Sequence, residues 1–399
     1  MLPRAMIRTV GVLAACQALA MTCSALVIAV TALVGQTLAP DRGLATLPLA
    51  LQFLGLMATT TPASYFMKRF GRRAGFTLGA AIGVVAGLLG MQAILVDSFN
   101  LYCLATVLTG AFLAHAMYYR FAAADNAADE HRSRAISLVM AGGVLAAIMG
   151  PQLANWSKDL FAPIDFAGGY LVVAVLCGVQ VVLVQFARLP KPRPAERALG
   201  GRRLGALLRH PSLVLAIACG MVAYGAMNLI MSVTPPAMLD CGHSFGSAAF
   251  VIQWHVFAMY APAFFTGHLI QRFGVRAIVA TGALFMLACV AANLSGQEIV
   301  QFAGALVLLG VGWNFMFVGG TTWVTQLHAE GEKAKVQALN DVLVFATVAV
   351  TSLGSGWIFD RLGWAAVNVA IVVPVVLVLL AVVMLARSTD AEEERAAAE

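Results

Sequence analysis

Met227 and Met231 stand four residues apart, and Met259 stands four after His255. Residues at i and i+4 share a helix face, so each pair can offer two donor atoms to one point. Thioether sulfur and imidazole nitrogen together suit Cu(I), which soft ligands select over hard cations. Cys219 precedes the methionine pair and Cys241 follows it. On two antiparallel membrane helices rising 1.5 Å per residue, Met231 lies about 5 Å and Met227 about 10 Å below the outer boundary. By the same rise His255 lies about 12 Å and Met259 about 18 Å down, with Cys219 deeper still. Met227 and His255 are then nearly level, with Cys241 and His243 in the loop above. A plainer reading stands beside this one. With 17 Met in 399 residues, about one Met-x-x-x-Met pair arises by chance, and flexible Met is ordinary core filler. His255 is the harder member to dismiss, because an imidazole in mid-span needs a partner or a task.

A second group, Gln337, Asn340 and Asp341, follows Asn314 and holds the one acid well placed in an apolar stretch. Asp341 is able to carry a proton there. The alternative is that it anchors the end of its segment beside Glu332, Lys333 and Lys335. Cys16 and Cys23 share a face near Gln17 and Met21, as pathway lining or as small apolar filler. His115, Tyr118, Tyr119 and Arg120 gather near Asp125 and Asp129 at a segment end, which suits a gate or an interfacial anchor. No Gly-x-x-x-x-Gly-Lys-Ser/Thr phosphate loop and no Cys-x-x-Cys occurs, which excludes the ATP-binding P-loop and that redox motif. No catalytic constellation is present, and no cofactor is expected.

The elements that must position these residues are membrane helices. The chain is 61% apolar and 11% charged, with a mean hydropathy of +0.86, against about a quarter charged in soluble domains. Twelve apolar stretches of bilayer-crossing length run at about 9–35, 44–67, 75–96, 101–122, 135–157, 168–187, 212–234, 247–270, 277–295, 299–322, 336–358 and 364–386. A membrane β-barrel would instead alternate apolar and polar residues. The long polar connection, 188–211, carries seven basic residues with Pro190, Pro192 and Pro194. It divides six-helix halves at 1–187 and 212–388, and an acidic tail at 389–399 closes the sequence. With the N-terminus inside, cytoplasmic segments hold 21 of the 25 Lys and Arg, the positive-inside asymmetry. Both termini are therefore expected in the cytoplasm, and the net charge of +6 needs no nucleic-acid partner. Seven cysteines scattered through apolar segments make no secreted disulfide framework.

A repeat supports the division into halves. Met67-Lys68-Arg69-Phe70-Gly71-Arg72-Arg73 stands between stretches two and three, and Ile270-Gln271-Arg272-Phe273-Gly274-Val275-Arg276 between eight and nine. A third version, Asp360-Arg361-Leu362-Gly363, follows stretch eleven. In these features the chain resembles the major facilitator superfamily over nearly its whole length, which implies twelve helices in two halves, alternating access and a secondary transporter rather than an enzyme. The resemblance makes Arg69, Arg72 and Arg272 candidates for gating, beside Asn340 and Asp341, whose place in an apolar stretch makes them candidates for coupling while the resemblance gives them no role. The family's loop acid is replaced by Lys68 and Gln271, so the gating interaction is expected to differ.

Within that superfamily, Met227-x-x-x-Met231 and His255-x-x-x-Met259 resemble the CcoA-type bacterial copper importers, as do Thr234-Pro235-Pro236, Cys241-Gly242-His243 and Gln253-Trp254-His255. The resemblance implies copper import through the bacterial inner membrane. Met227, Met231, His255 and Met259 would hold the ion, with thiols at Cys219 and Cys241. A cytoplasmic copper chaperone or haem–copper oxidase assembly factors would receive it. Two rivals stand. One is the same fold carrying an organic solute, riboflavin-type or drug, coupled to protons, with Tyr224, Trp254, Tyr260 and Trp313 lining the cavity. The other is a membrane copper receptor that does not transport.

Overall fold

The computed structural model describes residues 4–126, 138–189, 204–329 and 332–384. Apolar stretches in lipid must satisfy every backbone group internally, and each becomes helix. In the first half these are α1 (Arg4–Leu38), α2 (Leu47–Phe70), α3 (Arg72–Leu95), α4 (Phe99–Ala116), α5 (Gly142–Ser157) and α6 (Ala167–Val184). The second half begins with α7 (Pro211–Asp240) and α8 (Phe245–Tyr260), the latter bent by 43° into Ala263–Phe273. Then come α9 (Val275–Leu294), α10 (Ile299–Gln326) and α11 (Lys333–Ala370), and helix continues through 372–384. Among the described residues there is no strand, only an isolated bridge between Phe161 and Ile164.

Ten of these helices are long and apolar enough to cross a membrane, and the bent pair makes an eleventh. One of the ten, Lys335–Met384, runs for 50 residues. That is about 75 Å of helix, more than twice the ~30 Å hydrocarbon core. Gly363, at φ 80° and ψ −178°, breaks it into two. Twelve spans result among the described residues, as the sequence implies.

The halves repeat one packing pattern. In the first, α1 packs on α5, and α4 on both α2 and α3; in the second, α7 packs on α11, and α10 on both α8 and α9. The repeated loop motif has a structural meaning in the same terms. Gly71 (φ 91°) and Gly274 (φ 82°) each end one helix and begin the next, in a conformation that side chains with a Cβ rarely adopt. Gly363 does the same in the third copy. Arg69 lies over the Phe70 ring at 5.3 Å, and Arg272 over Phe273 at 5.2 Å, so the two motifs match in side chains as well. Arg72 pairs with Asp125, and Arg73 donates to the Ala187 carbonyl at 2.7 Å. Both ties stay within the first half.

The halves meet along α2/α11, α5/α8 and α1/α7. Gln152 and Gln253 hydrogen-bond across the α5/α8 seam at 2.7 Å. At the end of the bundle opposite the Gly71 and Gly274 turns, the Gly356 amide donates to Thr46 Oγ1 at 3.1 Å. There Arg361 reaches Asp41 at 3.6 Å, and the Phe166 and Phe245 rings meet edge-on with centroids 5.1 Å apart. Of the expected linker, 190–203 lies outside the described residues, and so does the acidic tail 389–399.

Candidate functional site

Between the halves lies a cavity of about 290 Å³, at the small end of the range typical of sites for small organic ligands. Six aromatic residues and six methionines make up about half of its wall. Tyr224 on α7 is the hub, with Trp313 at 5.5 Å, Phe317 at 5.3 Å, Phe345 at 6.1 Å and Phe53 at 6.5 Å between ring centroids. Trp313 and Phe317, one turn apart on α10, stack face to face, and Tyr260 meets Trp313 at 6.1 Å. These rings come from α2, α7, α8, α10 and α11, so only the assembled bundle makes the cage.

Polar groups occupy particular places in the wall. Gln17 and Ser24 enter from α1, Gln52 from α2, and Arg120 and Asp341 from opposite halves. Arg120 and Asp341 are near enough for their charges to attract, and Asn340 donates to Asp341 Oδ1 at 3.2 Å. Asn228 also lines the cavity, but its amide is engaged: Nδ2 donates to Ser352 Oγ at 2.6 Å and to the Val348 carbonyl at 3.2 Å. Gln52 is placed by a close approach. A Cβ on Gly110 would sit 2.0 Å from the Gln52 carbonyl oxygen, so α4 can press against α2 here only because residue 110 is Gly.

The soft donors read from the sequence divide. Met227, Met231 and Met259 all line the cavity. His255, although buried, does not join them there: its Nδ1–H donates to the Leu306 carbonyl at 2.8 Å, which ties α8 to α10. Cys219 is buried outside the cavity wall, beside Gly320. Cys241 lies in a separate cavity of about 370 Å³ at the end opposite the Gly71 and Gly274 turns, with Arg42, Asp240 and Asp360. Partial burial and the Asp240 charge push the Cys241 thiol up from its ordinary value, away from the thiolate that binds metal. Among the described residues, no three of His, Cys, Asp and Glu gather where an ion could sit.

Other candidates are also placed. Asn314 holds the α8 break, donating to the Met259 carbonyl at 2.7 Å and accepting from Thr266 Oγ1 at 2.6 Å. Of the four aromatics expected to line an organic cavity, Tyr224, Tyr260 and Trp313 do so, while Trp254 is 42% exposed between Phe250 and Phe257. Gln52, Phe53, Asn228, Phe317 and Phe345 were not anticipated. Gln52 and Asn228 carried a usable signal, since an amide buried in mid-span is costly unless it has a task.

The family model for the Major Facilitator Superfamily matches this chain twice, over residues 13–261 and 216–399. The chain belongs to the major facilitator superfamily. It is thus a multi-pass membrane protein of a transporter family, and not an enzyme. Among its superfamily relatives, "Riboflavin transporter RfnT" of Brucella anthropi is 41% identical over 389 residues, covering 97% of this chain and 98% of the relative. Two Bacillus subtilis proteins, the uncharacterized MFS-type transporters YdeG and YddS, are 29% and 28% identical, over 83% and 86% of this chain.

The copper-import expectation is corrected by these findings. A named relative along 97% of the chain is a riboflavin transporter, and the cavity that holds Met227, Met231 and Met259 is of small-molecule size, with six aromatic residues among its lining. The methionines contribute soft apolar wall, as thioethers commonly do. The expected copper chaperone and oxidase-assembly partners rested on that cargo alone.

Proposed function

We propose that this chain is a secondary carrier moving a planar, uncharged aromatic solute of the riboflavin kind across the bacterial inner membrane by alternating access. The aromatic cage around Tyr224 carries the reading: flat ring faces and edges drawn from both halves suit a fused heterocycle, and the similarity to RfnT names one. The Lys and Arg asymmetry orients the bundle with both termini in the cytoplasm. The Thr46–Gly356, Asp41–Arg361 and Phe166–Phe245 contacts then lie on the outer side, as in a carrier closed to the outside. Rocking the halves about the α2/α11 and α5/α8 seams breaks those contacts and exposes the cage outward. Asp341, facing Arg120 at the inner part of the cavity, is the acid to which proton coupling falls.

The test is uptake of radiolabelled riboflavin by proteoliposomes holding the purified chain, and by a riboflavin-auxotrophic bacterium expressing it. Saturable uptake and growth on low riboflavin are expected. Uptake no greater than in empty liposomes would overturn the reading.

A further inference from the structure

Gln52 is 1% exposed, and neither Nε2 nor Oε1 of its amide has a hydrogen-bond partner. Buried side-chain polar atoms are nearly always paired. Asn228, an amide in the same cavity wall, obeys that rule through α11. Two further groups in this wall share the condition of Gln52: the indole Nε1–H of Trp313 and Nε of Arg120 are buried without partners. Unpartnered polar atoms at one cavity, contributed by both halves, look to whatever occupies it.

We infer that Gln52 and Trp313 read the hydrogen-bonding edge of the cargo, and that the cargo class is a planar heterocycle bearing a cyclic imide, an N–H flanked by two carbonyls. The inference rests on the proposed organic-solute function and deepens it. A carboxamide sets an N–H donor of its NH2 group beside a carbonyl acceptor, whereas an indole only donates. Gln52 Nε2 therefore calls for an acceptor, Oε1 for a donor, and Trp313 Nε1 for a second acceptor. A cyclic imide presents that set along one edge, and the fused ring system behind it fits the aromatic cage. Riboflavin belongs to this class. Gln52 stands on α2 and Trp313 on α10, so a cargo held by both bridges the halves. When the halves rock apart one of the two anchors is lost, which couples release to the conformational step.

The experiment compares riboflavin with 3-methylriboflavin, in which a methyl group replaces the imide hydrogen, as competitors of radiolabelled riboflavin uptake into proteoliposomes. The wild-type chain is expected to favour riboflavin by about tenfold or more, the scale of losing a buried hydrogen bond and stranding its partner. Gln52→Leu is expected to weaken riboflavin by about tenfold and to bring the two compounds to within about threefold of each other. Trp313→Phe, which keeps a ring but removes the donor, should weaken both compounds equally and preserve the preference. Absence of any wild-type riboflavin uptake defeats the functional reading. Wild-type uptake with no preference between the two compounds defeats this inference alone, and needs no variant to fold. A Gln52→Leu protein of normal membrane abundance that keeps the wild-type preference also overturns it.

Discussion

The Trp313 indole lies against the Phe317 ring with centroids 5.0 Å apart and planes 12° apart. Positions i and i+4 stand over one another on a helix, so α10 itself supplies a rigid aromatic panel. Tyr224 meets both rings at an angle from α7. The panel's orientation therefore does not depend on cargo.

Removing it has a defined expectation. An aromatic pair contributes about 0.5–1.5 kcal/mol beyond its buried area, and Trp313→Ala also leaves a void. Riboflavin affinity should fall roughly tenfold to a hundredfold, about 1.4–2.8 kcal/mol. Quenching of protein fluorescence on riboflavin addition to the purified chain measures it. Unaltered affinity in Trp313→Ala would move the cargo out of this cage.

Met227, Met231 and Met259, three of the six methionines that line the cavity, are expected to act through shape. Leu and Met are close in volume, and such swaps usually cost less than about 1.5 kcal/mol. The triple variant Met227→Leu/Met231→Leu/Met259→Leu should keep riboflavin uptake within about tenfold of wild type. A complete loss, in protein that still reaches the membrane, would assign the sulfur atoms a chemical role.

Most of the fold is legible in the sequence, and less of the site. Twelve spans follow from the lengths of apolar runs alone, and Arg-Phe-Gly-x-Arg marks the same glycine-capped turn in both halves because Gly71 and Gly274 adopt the same backbone conformation. Helical spacing also groups Met227 with Met231 correctly. It fails at His255 and Met259, which share a face of α8: the imidazole N–H binds a carbonyl of α10, while the thioether one turn on reaches the cavity. A shared face spans an arc, and neighbouring helices decide which part of it meets which partner. The cage is illegible for a related reason, since its rings come from five helices and no local pattern joins Phe53 to Phe345. Gln52 has no spacing signature, and only its depth in an apolar run marks it.

Arg120 and Asp341 should behave as a coupled pair. A charge in a membrane-spanning segment is costly without a partner, and breaking a buried pair is more damaging than removing it whole. Because Asp341 is exposed in the cavity wall, the cost of Arg120→Ala is expected to fall below that of breaking a fully buried pair, at about 1–3 kcal/mol, lowering the melting temperature in detergent. Arg120→Ala/Asp341→Ala should recover part of that loss, as a double-mutant cycle reads. Asp341→Asn should preserve riboflavin exchange between the two sides of a liposome but abolish accumulation driven by a pH gradient. Accumulation at the wild-type level would free Asp341 of any part in coupling.

The contact between Thr46 and Gly356 offers a direct test of alternating access. A Cβ built on Gly356 lies 3.3 Å from the Thr46 Cβ, close to the about 3.5–4.5 Å that a disulfide spans. The two residues belong to different halves, so a covalent bridge there prevents the halves from parting at that end. Cys241 is exposed near the same end and is replaced by Ser to prevent competing exchange. In that background, Thr46→Cys/Gly356→Cys is expected to form the disulfide under mild oxidation, and riboflavin uptake into proteoliposomes should fall to the empty-liposome level. Reduction should restore it, and either cysteine alone should respond to neither treatment. Undiminished uptake with the bridge fully formed, shown by the mobility shift on reduction, would mean that this end never opens during transport. The carrier would then have to admit its cargo by a route other than the parting of α2 from α11.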